Sequence, residues 1–283
     1  LRIGLVRHWY EADRRASDEA IAAMAAAADV LRGLGAEVVE VTLRPLAEYQ
    51  ACMRITALVE SFAIHADRLR ERPQDYGEVF RYRILPGALV SGTDYVQAQR
   101  LQRVLAQGML DALRDVDALV TSTTPGEAPV MAEMRAEANF AAPPLTNPWN
   151  VAQMPALSLC NGFSASGLPL SMQVAGRPFD EATVFRIGHA YERATPWRAR
   201  RPVVPATPID DTPVDQAAPP PAAEVAARFA ALAGLAGIAP DARQFAQLCE
   251  AFPHAEAMAA ALPRDLPFWA ELANSVSVAG ERA

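Results

Sequence analysis

The order of secondary-structure patterns at the start of the chain restricts the possible folds more than any other feature. Arg2–Arg7 is a short apolar run typical of a strand, the alanine-rich stretch 17–34 has helical spacing, and residues 36–42 alternate apolar and polar side chains. Strand, helix and strand in succession predict a right-handed crossover between parallel strands. Two long helical patterns, 46–72 and 93–113, precede a buried strand at 117–121, so the sequence predicts an α/β fold.

A different pattern follows in the segment 155–176. Two apolar runs, 156–160 and 170–174, flank a turn rich in glycine, serine and asparagine, which predicts a strand pair or hairpin. Helical spacing resumes at Asp180, whose carboxylate is suited to cap the helix.

The C-terminal third has the composition of a linker and a small helical appendage. Six prolines between Pro205 and Pro221 indicate a stiff, extended linker. We therefore predict three parts, a body at 1–204, a linker at 205–221 and a helical domain at 222–283. Three or four short helices are expected in the last part, with breaks at Gly237, Pro240, Pro253, Pro263 and Pro267. About 60 residues make only a marginal core, so the appendage should pack on the body of its own chain or of a neighbouring copy, the latter giving a homodimer.

Composition excludes several functional classes. The net charge of -7 leaves no basic footprint for nucleic acid, and no apolar run approaches the ~20 residues of a membrane span. Without a signal-type start, a cytoplasmic location is expected. Cys52, Cys160 and Cys249 are odd in number and far apart, which favours reduced thiols. No spacing typical of a metal site occurs, and we expect neither a metal nor a cofactor.

The absence of one catalytic residue type, lysine, is also informative. All 26 basic residues are arginine, and no lysine occurs. A guanidinium cannot lose its proton near neutral pH, so no arginine could act as a general base in place of lysine. The segment Gly162–Ser166 approaches a nucleophile elbow, but it lacks the final glycine and leads into a second strand instead of a helix. None of the four histidines stands beside a serine motif, and we assign no catalytic residue.

A series of motifs in fixed order resembles the amidase signature family. Its C-terminal half is matched by 146–150 (TNPWN), 154–158 (MPALS), 167–183 (GLPLSMQVAGRPFDEAT) and 189–192 (HAYE), with further matches at 1–6, 33–37, 81–85, 94–100 and 117–125. The resemblance covers residues 1–204 and implies the C-terminal part of the mixed-sheet α/β/α amidase fold. The appendage is similar to the small helical subunit of amidotransferases and carboxybiuret hydrolases, here fused.

The resemblance implies amide hydrolysis by a serine nucleophile, a second serine in a cis peptide and a lysine base. This machinery belongs to the family's N-terminal half, and this chain has neither a lysine nor a Gly-Gly pair for the loop that carries it. We therefore expect part of an amidase, inactive alone, whose N-terminal half is missing; Leu1 in place of a start methionine supports this expectation. A non-catalytic subunit or interaction module that needs a partner chain remains the alternative. The first hypothesis is also favoured by the N-terminal strand, which is expected to leave an apolar sheet face uncovered without the other half.

Candidate substrate-binding residues lie where strands end. The hydroxyls of Ser122, Thr123 and Thr124 could contact an amide, or they could form local hydrogen bonds in the turn before Pro125. The second group is Asn150, Cys160 and Asn161. Asn150 could instead tie loops together, and Cys160 could be an apolar filler.

Arg83 is a candidate by resemblance alone. It aligns with an arginine by which glutamine-using relatives hold the substrate's α-carboxylate, although a surface ion pair is the alternative. Those relatives also carry an aspartate where this chain has Pro143. This difference favours a small linear amide, or one that bears a carboxylate, over glutamine as the substrate.

Overall fold

The computed structural model describes residues 1–130, 142–202, 220–267 and 270. These form a mixed five-stranded sheet with helices packed around it. The strands are β1 (Arg2–Leu5), β2 (Glu37–Glu40), β3 (Ala118–Ser122), β4 (Ala156–Phe163) and β5 (Pro169–Ala175). Their order across the sheet is β2-β1-β3-β5-β4. β1 pairs in parallel with β2 and β3, whereas β5 runs antiparallel to β3 and β4. The predicted α/β class, parallel crossover and hairpin are confirmed.

Eight α-helices are found in the described residues. They are α1 (Asp18–Gly33), α2 (Leu46–Glu71), α3 (Glu78–Ile84), α4 (Gly92–Ala112), α5 (Asn147–Ala152), α6 (Glu181–Ala194), α7 (Ala223–Leu235) and α8 (Ala242–Ala260). The predicted long helices match α2 and α4 to within a residue or two. Asp180 caps α6 as predicted, since its carboxylate accepts the Thr183 N–H at 3.2 Å. The predicted linker lies largely outside the described residues.

The break expected at Pro253 is wrong. α8 continues through this proline, which is exposed, while the flanking Ala251, Phe252 and Ala255 are buried. A proline inside a helix removes one backbone hydrogen bond. The burial of this apolar face offsets that cost, so α8 stays one helix.

The N-terminal strand is central and covered, contrary to expectation. β1 lies between β2 and β3, and Ile3 and Leu5 are 1% and 2% exposed. α1 and α6 pack on β4 and β5, while α2, α4 and α5 pack on one another and bury side chains in the same core. The strands at the two ends of the sheet are β2, where Glu37 and Glu40 are exposed, and β4, where Ala156 and Ser158 are exposed.

The appendage helices α7 and α8 pack on the body of the same chain. We call the buried contact the docking cluster. The body contributes Leu69, Ile84 and Leu85, and the appendage contributes Phe229, Ala233, Leu248, Cys249 and Phe252. α8 also reaches the main core through Ala251 and Met258. The appendage thus packs on the body of its own chain, which is one of the two predicted arrangements, and the homodimer stays a prediction.

Candidate active site

Hydroxyl side chains from three strands meet on one face of the sheet. Ser171 of β5 lies opposite Cys160 of β4, and directly paired residues point to the same side of a sheet. Thr123, which follows β3, donates its N–H to the Ser171 carbonyl at 3.0 Å, and its Oγ1 lies 3.2 Å from Ser158 Oγ. We call Thr123, Ser158, Cys160 and Ser171 the hydroxyl face. Because Ser158 is exposed and Thr123 half-buried, this face is open to solvent.

Ser122, the last residue of β3, and the two threonines that follow it differ in what their hydroxyls contact. Ser122 Oγ donates to the Thr124 carbonyl at 2.7 Å, and Thr124 Oγ1 donates to the Gly126 carbonyl at 2.9 Å. These are the local turn hydrogen bonds that the sequence left as an alternative. All three hydroxyls also reach a neighbouring strand: Ser122 Oγ lies 3.4 Å from the Ser171 carbonyl, and Thr124 Oγ1 lies 3.5 Å from Ser171 Oγ. The contact of Thr123 with Ser158 Oγ is the shortest, at 3.2 Å, so Thr123 has the geometry closest to that of a ligand contact.

Cys160 and Asn161 lie on opposite faces of β4. The Cys160 thiol is half-buried on the hydroxyl face, 3.3 Å from the Gly162 carbonyl. Asn161 is 3% exposed and points to α1, where its Nδ2 lies 3.4 Å from Met24 Sδ. The pairing of β4 with β5 shifts register between Cys160 and Gly162, so the different directions of the two side chains are read from their contacts. The structure therefore does not bring Asn161 to the hydroxyl face.

Asn150 does not tie loops together in the hydrogen bonds of the described residues. It is exposed on α5, and its amide lies 3.5 Å from the Thr146 carbonyl of its own helix turn. Gln173, which the sequence analysis missed, makes such a tie. Its buried Nε2 donates to the carbonyls of Ser122 at 3.0 Å and Leu145 at 2.8 Å. The available signal was a glutamine between Met172 and Val174 in a strand that is apolar except for Ser171.

Arg83 is exposed on α3, close to a second arginine. Burial lowers the pKa of Arg54 on α2, and the positive charge of Arg83 lowers this pKa further. Two neighbouring guanidinium groups favour an anion between or beside them. Arg83 has no ion pair with any described side chain. No hydrogen bond within the described ranges links it to the hydroxyl face.

The turn between β4 and β5 confirms the hairpin and argues against an elbow. β4 continues through Phe163, and the chain reverses at Gly167, whose φ of +85° suits glycine, before β5 begins. Ser164 and Ser166 hydroxyls lie 2.9 Å apart in this turn. No group of three or more His, Cys, Asp or Glu side chains in the described part of the chain could hold a metal ion.

The comparison with known families decides the assignment. The family model described as Amidase matches residues 1–185. The chain belongs to the amidase family. An amidase from Pseudomonas putida is 35% identical over 220 residues, covering 71% of this chain and 44% of that protein. The A subunit of the Glutamyl-tRNA(Gln) amidotransferase from Geobacter metallireducens is 31% identical, covering 71% of this chain and 46% of that protein.

Solved amidase-family structures agree with the fold. A crystal structure of an amidase aligns with a TM-score of 0.61 at 27% identity, covering 68% of this chain and 45% of that one. The A subunit of the Glutamyl-tRNA(Gln) amidotransferase from Thermotoga maritima aligns with a TM-score of 0.52 at 27% identity, covering 70% of this chain and 43% of that one. The chain thus spans less than half the length of these amidase-family relatives. No helix among the described residues is long and apolar enough to cross a membrane.

Within the amidase family, one further position bears on the substrate. Pro143 stands where the resemblance places an aspartate in glutamine-using relatives. Its carbonyl accepts a hydrogen bond from Arg14 Nη1 at 2.9 Å, and burial lowers the pKa of Arg14. The position therefore presents no carboxylate for a substrate amino group.

Proposed function

We propose that this chain is the C-terminal part of an amide hydrolase, and that the serine nucleophile and lysine base come from an N-terminal half. The observation that carries the proposal is an open hydroxyl face in an amidase-family chain with no lysine. The family's base has to be neutral to accept a proton, and arginine stays charged. The relatives' extra length, more than half of each, is consistent with a second half that bears the catalytic groups.

In this proposal the hydroxyl face forms one wall of the substrate pocket. Thr123, Ser158 and Ser171 can each donate and accept hydrogen bonds, which suits both the N–H and the carbonyl of an amide. Cys160 supplies a small half-buried surface between them. Ser122 and Thr124 then hold the turn after β3 through hydrogen bonds to backbone carbonyls. Asn150 bonds within its own helix turn and Asn161 points to α1, and in this proposal none of these four residues touches the substrate.

The reaction on this wall would be acyl transfer. A serine of the N-terminal half attacks the amide carbonyl, the C–N bond breaks, and the leaving nitrogen takes the proton that the base removed from the serine. Water then hydrolyses the acyl-enzyme and restores the serine. The residues of this chain orient the amide so that its carbonyl faces the nucleophile, which lowers the entropic cost of the reaction.

Arg83 points to the substrate class. An exposed guanidinium without an ion pair in the described structure can bind a carboxylate through two parallel hydrogen bonds. We therefore propose a small linear amide that carries a carboxylate, and the proline at 143 makes glutamine a poorer fit.

The second candidate function is a non-catalytic, amidase-like subunit. The observation that favours it is the appendage: α7 and α8 form an all-helical unit after the body, and we propose the parts 1–204 and 222–283 as separate domains. Several relatives are named as the A subunit of an amidotransferase, which is consistent with a protein that acts with other chains. Such a subunit would bind a partner chain that brings the nucleophile.

Activity with and without the N-terminal half tests the proposal. The purified chain should hydrolyse none of a panel of small amides, and addition of the N-terminal half should produce turnover. If the chain alone hydrolyses an amide and Ser158→Ala abolishes this activity, the assignment of the catalytic groups to the N-terminal half is overturned. The coding sequence upstream of Leu1 separates the two candidates: an open frame with a lysine and a glycine-serine loop supports the first, whereas a stop codon and a local start support the second.

A further inference from the structure

The helix that carries Arg83 is short and depends on its neighbours. α3 has seven residues, about two turns, and isolated helices of this length are not stable in water. Its start is tied to the preceding turn, since Arg81 Nη1 donates to the carbonyls of Pro73 at 3.0 Å and Tyr76 at 2.9 Å. Phe80 also stacks on Tyr76 with ring centroids 5.5 Å apart.

The end of α3 is held by the appendage. Ile84, the last residue of α3, and Leu85 are each 5% exposed and belong to the docking cluster. Phe229 of α7 and Phe252 of α8 fill this cluster at 1% and 2% exposure. Arg83 is bonded directly to Ile84, so any shift of Ile84 moves the base of the Arg83 side chain.

Polar contacts hold the appendage on the body at two places. Arg70 at the end of α2 donates to the Ala236 carbonyl at the end of α7 at 3.3 Å. On α4, Asp94 pairs with Arg264 at 2.7 Å, and Arg100 Nε donates to the Ala270 carbonyl at 2.8 Å. These contacts lie at the connection between α7 and α8 and after the end of α8. They fix the orientation of the two helices relative to α3.

We propose that α7 and α8 are a positioning element for Arg83. By packing on Ile84 and Leu85 they hold α3 in the orientation in which Arg83 pairs with a substrate carboxylate, and so they set the preference for carboxylated amides. The inference rests on the proposed role of Arg83 in binding substrate. Phe229 and Phe252 act through α3 and do not touch the substrate.

The first test uses hydrogen exchange on the full chain. Phe252→Ala and Phe229→Ala should make the backbone amides of α3 exchange at least about 10-fold faster, because local opening becomes easier. β1 and β3 should keep their protection. Leu235→Ala is the matched control, since Leu235 is on α7 but 87% exposed, and should change nothing in α3. Unchanged α3 exchange in the phenylalanine variants, with α7 and α8 loosened, would overturn the inference. Phe252→Leu is the milder variant if Phe252→Ala also loosens β1.

The second test measures specificity in the active form, the chain together with its N-terminal half. Malonamate, which bears a carboxylate, is compared with malonamide, which is neutral. Phe252→Ala should raise the KM for malonamate about 10-fold or more with kcat little changed, the scale of a weakened charged hydrogen-bond pair, and leave malonamide unaffected.

Arg83→Ala separates the inference from the proposal on which it rests. If Arg83→Ala and Phe252→Ala each raise the KM for malonamate and leave malonamide unaffected, the result supports both the positioning role of the appendage and the role of Arg83 in binding substrate. If only Arg83→Ala raises the KM for malonamate selectively, the positioning role of the appendage is overturned and the proposed substrate class stands. If Arg83→Ala does not raise the KM for malonamate selectively, the role of Arg83 in binding substrate is overturned. The hydrogen exchange of α3 then still reports whether the appendage holds this helix. An equal loss with both substrates in Phe252→Ala also overturns the inference, because it indicates general damage.

Discussion

At the scale of single residues, Gln173 joins the elements that surround the hydroxyl face. It is 3% exposed, and one amide nitrogen bonds to carbonyls at the end of β3 and before α5. Buried carbonyls that lose their donor keep the cost of desolvation. We predict that Gln173→Leu lowers the free energy of unfolding by about 2 kcal/mol, measured by urea denaturation.

The control for this substitution is Gln107→Leu on α4. Gln107 is exposed, and its amide bonds to the Asp111 side chain at 3.0 Å in solvent. Surface changes of this kind shift stability by less than about 0.5 kcal/mol. Equal effects of the two substitutions would contradict the bridging role of Gln173.

A second prediction at this scale concerns the hydroxyl of Thr123. Thr123→Val keeps the side-chain shape and removes the cross-strand hydroxyl. In the chain joined to its N-terminal half, we expect kcat/KM to fall about 10-fold, the scale of one lost hydrogen bond to the substrate amide. Thr195→Val is the comparison, because the half-buried Thr195 hydroxyl after α6 bonds to the Tyr191 carbonyl at 3.0 Å, and this variant should retain activity within about 2-fold. An equal loss of activity in Thr195→Val would contradict a specific contact between Thr123 and the substrate.

At the scale of elements, the turn after α3 packs on α2 more closely than a side chain allows. A Cβ built on Gly87 would lie 2.1 Å from the Leu58 carbonyl oxygen, a backbone atom that cannot move aside cheaply. We therefore predict that Gly87→Ala destabilises the chain by about 1–3 kcal/mol, the usual cost of overpacking. Thermal unfolding measures the change.

Gly108 provides the opposite expectation within α4. It is inside a helix, and a Cβ there would meet nothing within 4 Å. Alanine is a better helix former than glycine by about 0.8–1.0 kcal/mol, so Gly108→Ala should raise the melting temperature. The two alanine substitutions should thus change stability in opposite directions, and no loss of stability in Gly87→Ala would show that the packing at Gly87 is not tight.

The extent of prediction from sequence also differs by element. Long helices such as α2 and α4, and strands such as β3, were predicted because burial imposes a period that each segment carries alone. The hydroxyl face was predicted only in part. Thr123 and Cys160 were identified by their position after or within strands, but Ser158 and Ser171 face them through the order β3-β5-β4, which is a property of the whole sheet. The contact of α3 with α7 and α8 is likewise set by tertiary packing.

At the scale of the whole molecule, the appendage covers one surface of the body and leaves the β4 edge of the sheet open. α7 and α8 cover the end of α3, whereas β4 ends the sheet with exposed small side chains. An exposed strand edge is a template for pairing with another chain. An N-terminal half that completes the pocket would cover the hydroxyl face next to this edge, and so would bury Cys160.

Cysteine labelling tests this arrangement. At pH 8, iodoacetamide should alkylate Cys160 first in the isolated chain, because its thiol is half-buried whereas Cys52 and Cys249 are buried. Burial raises the pKa of Cys52 to about 12, which leaves about one thiol in ten thousand as thiolate at this pH. Addition of the N-terminal half should slow the labelling of Cys160 about 10-fold or more, since reactivity follows access to the thiolate. Cys52 serves as the internal control, because its slow labelling depends on the core and should not change. Unaltered labelling of Cys160 in a catalytically active complex would place the second half on another surface and remove the hydroxyl face from the pocket.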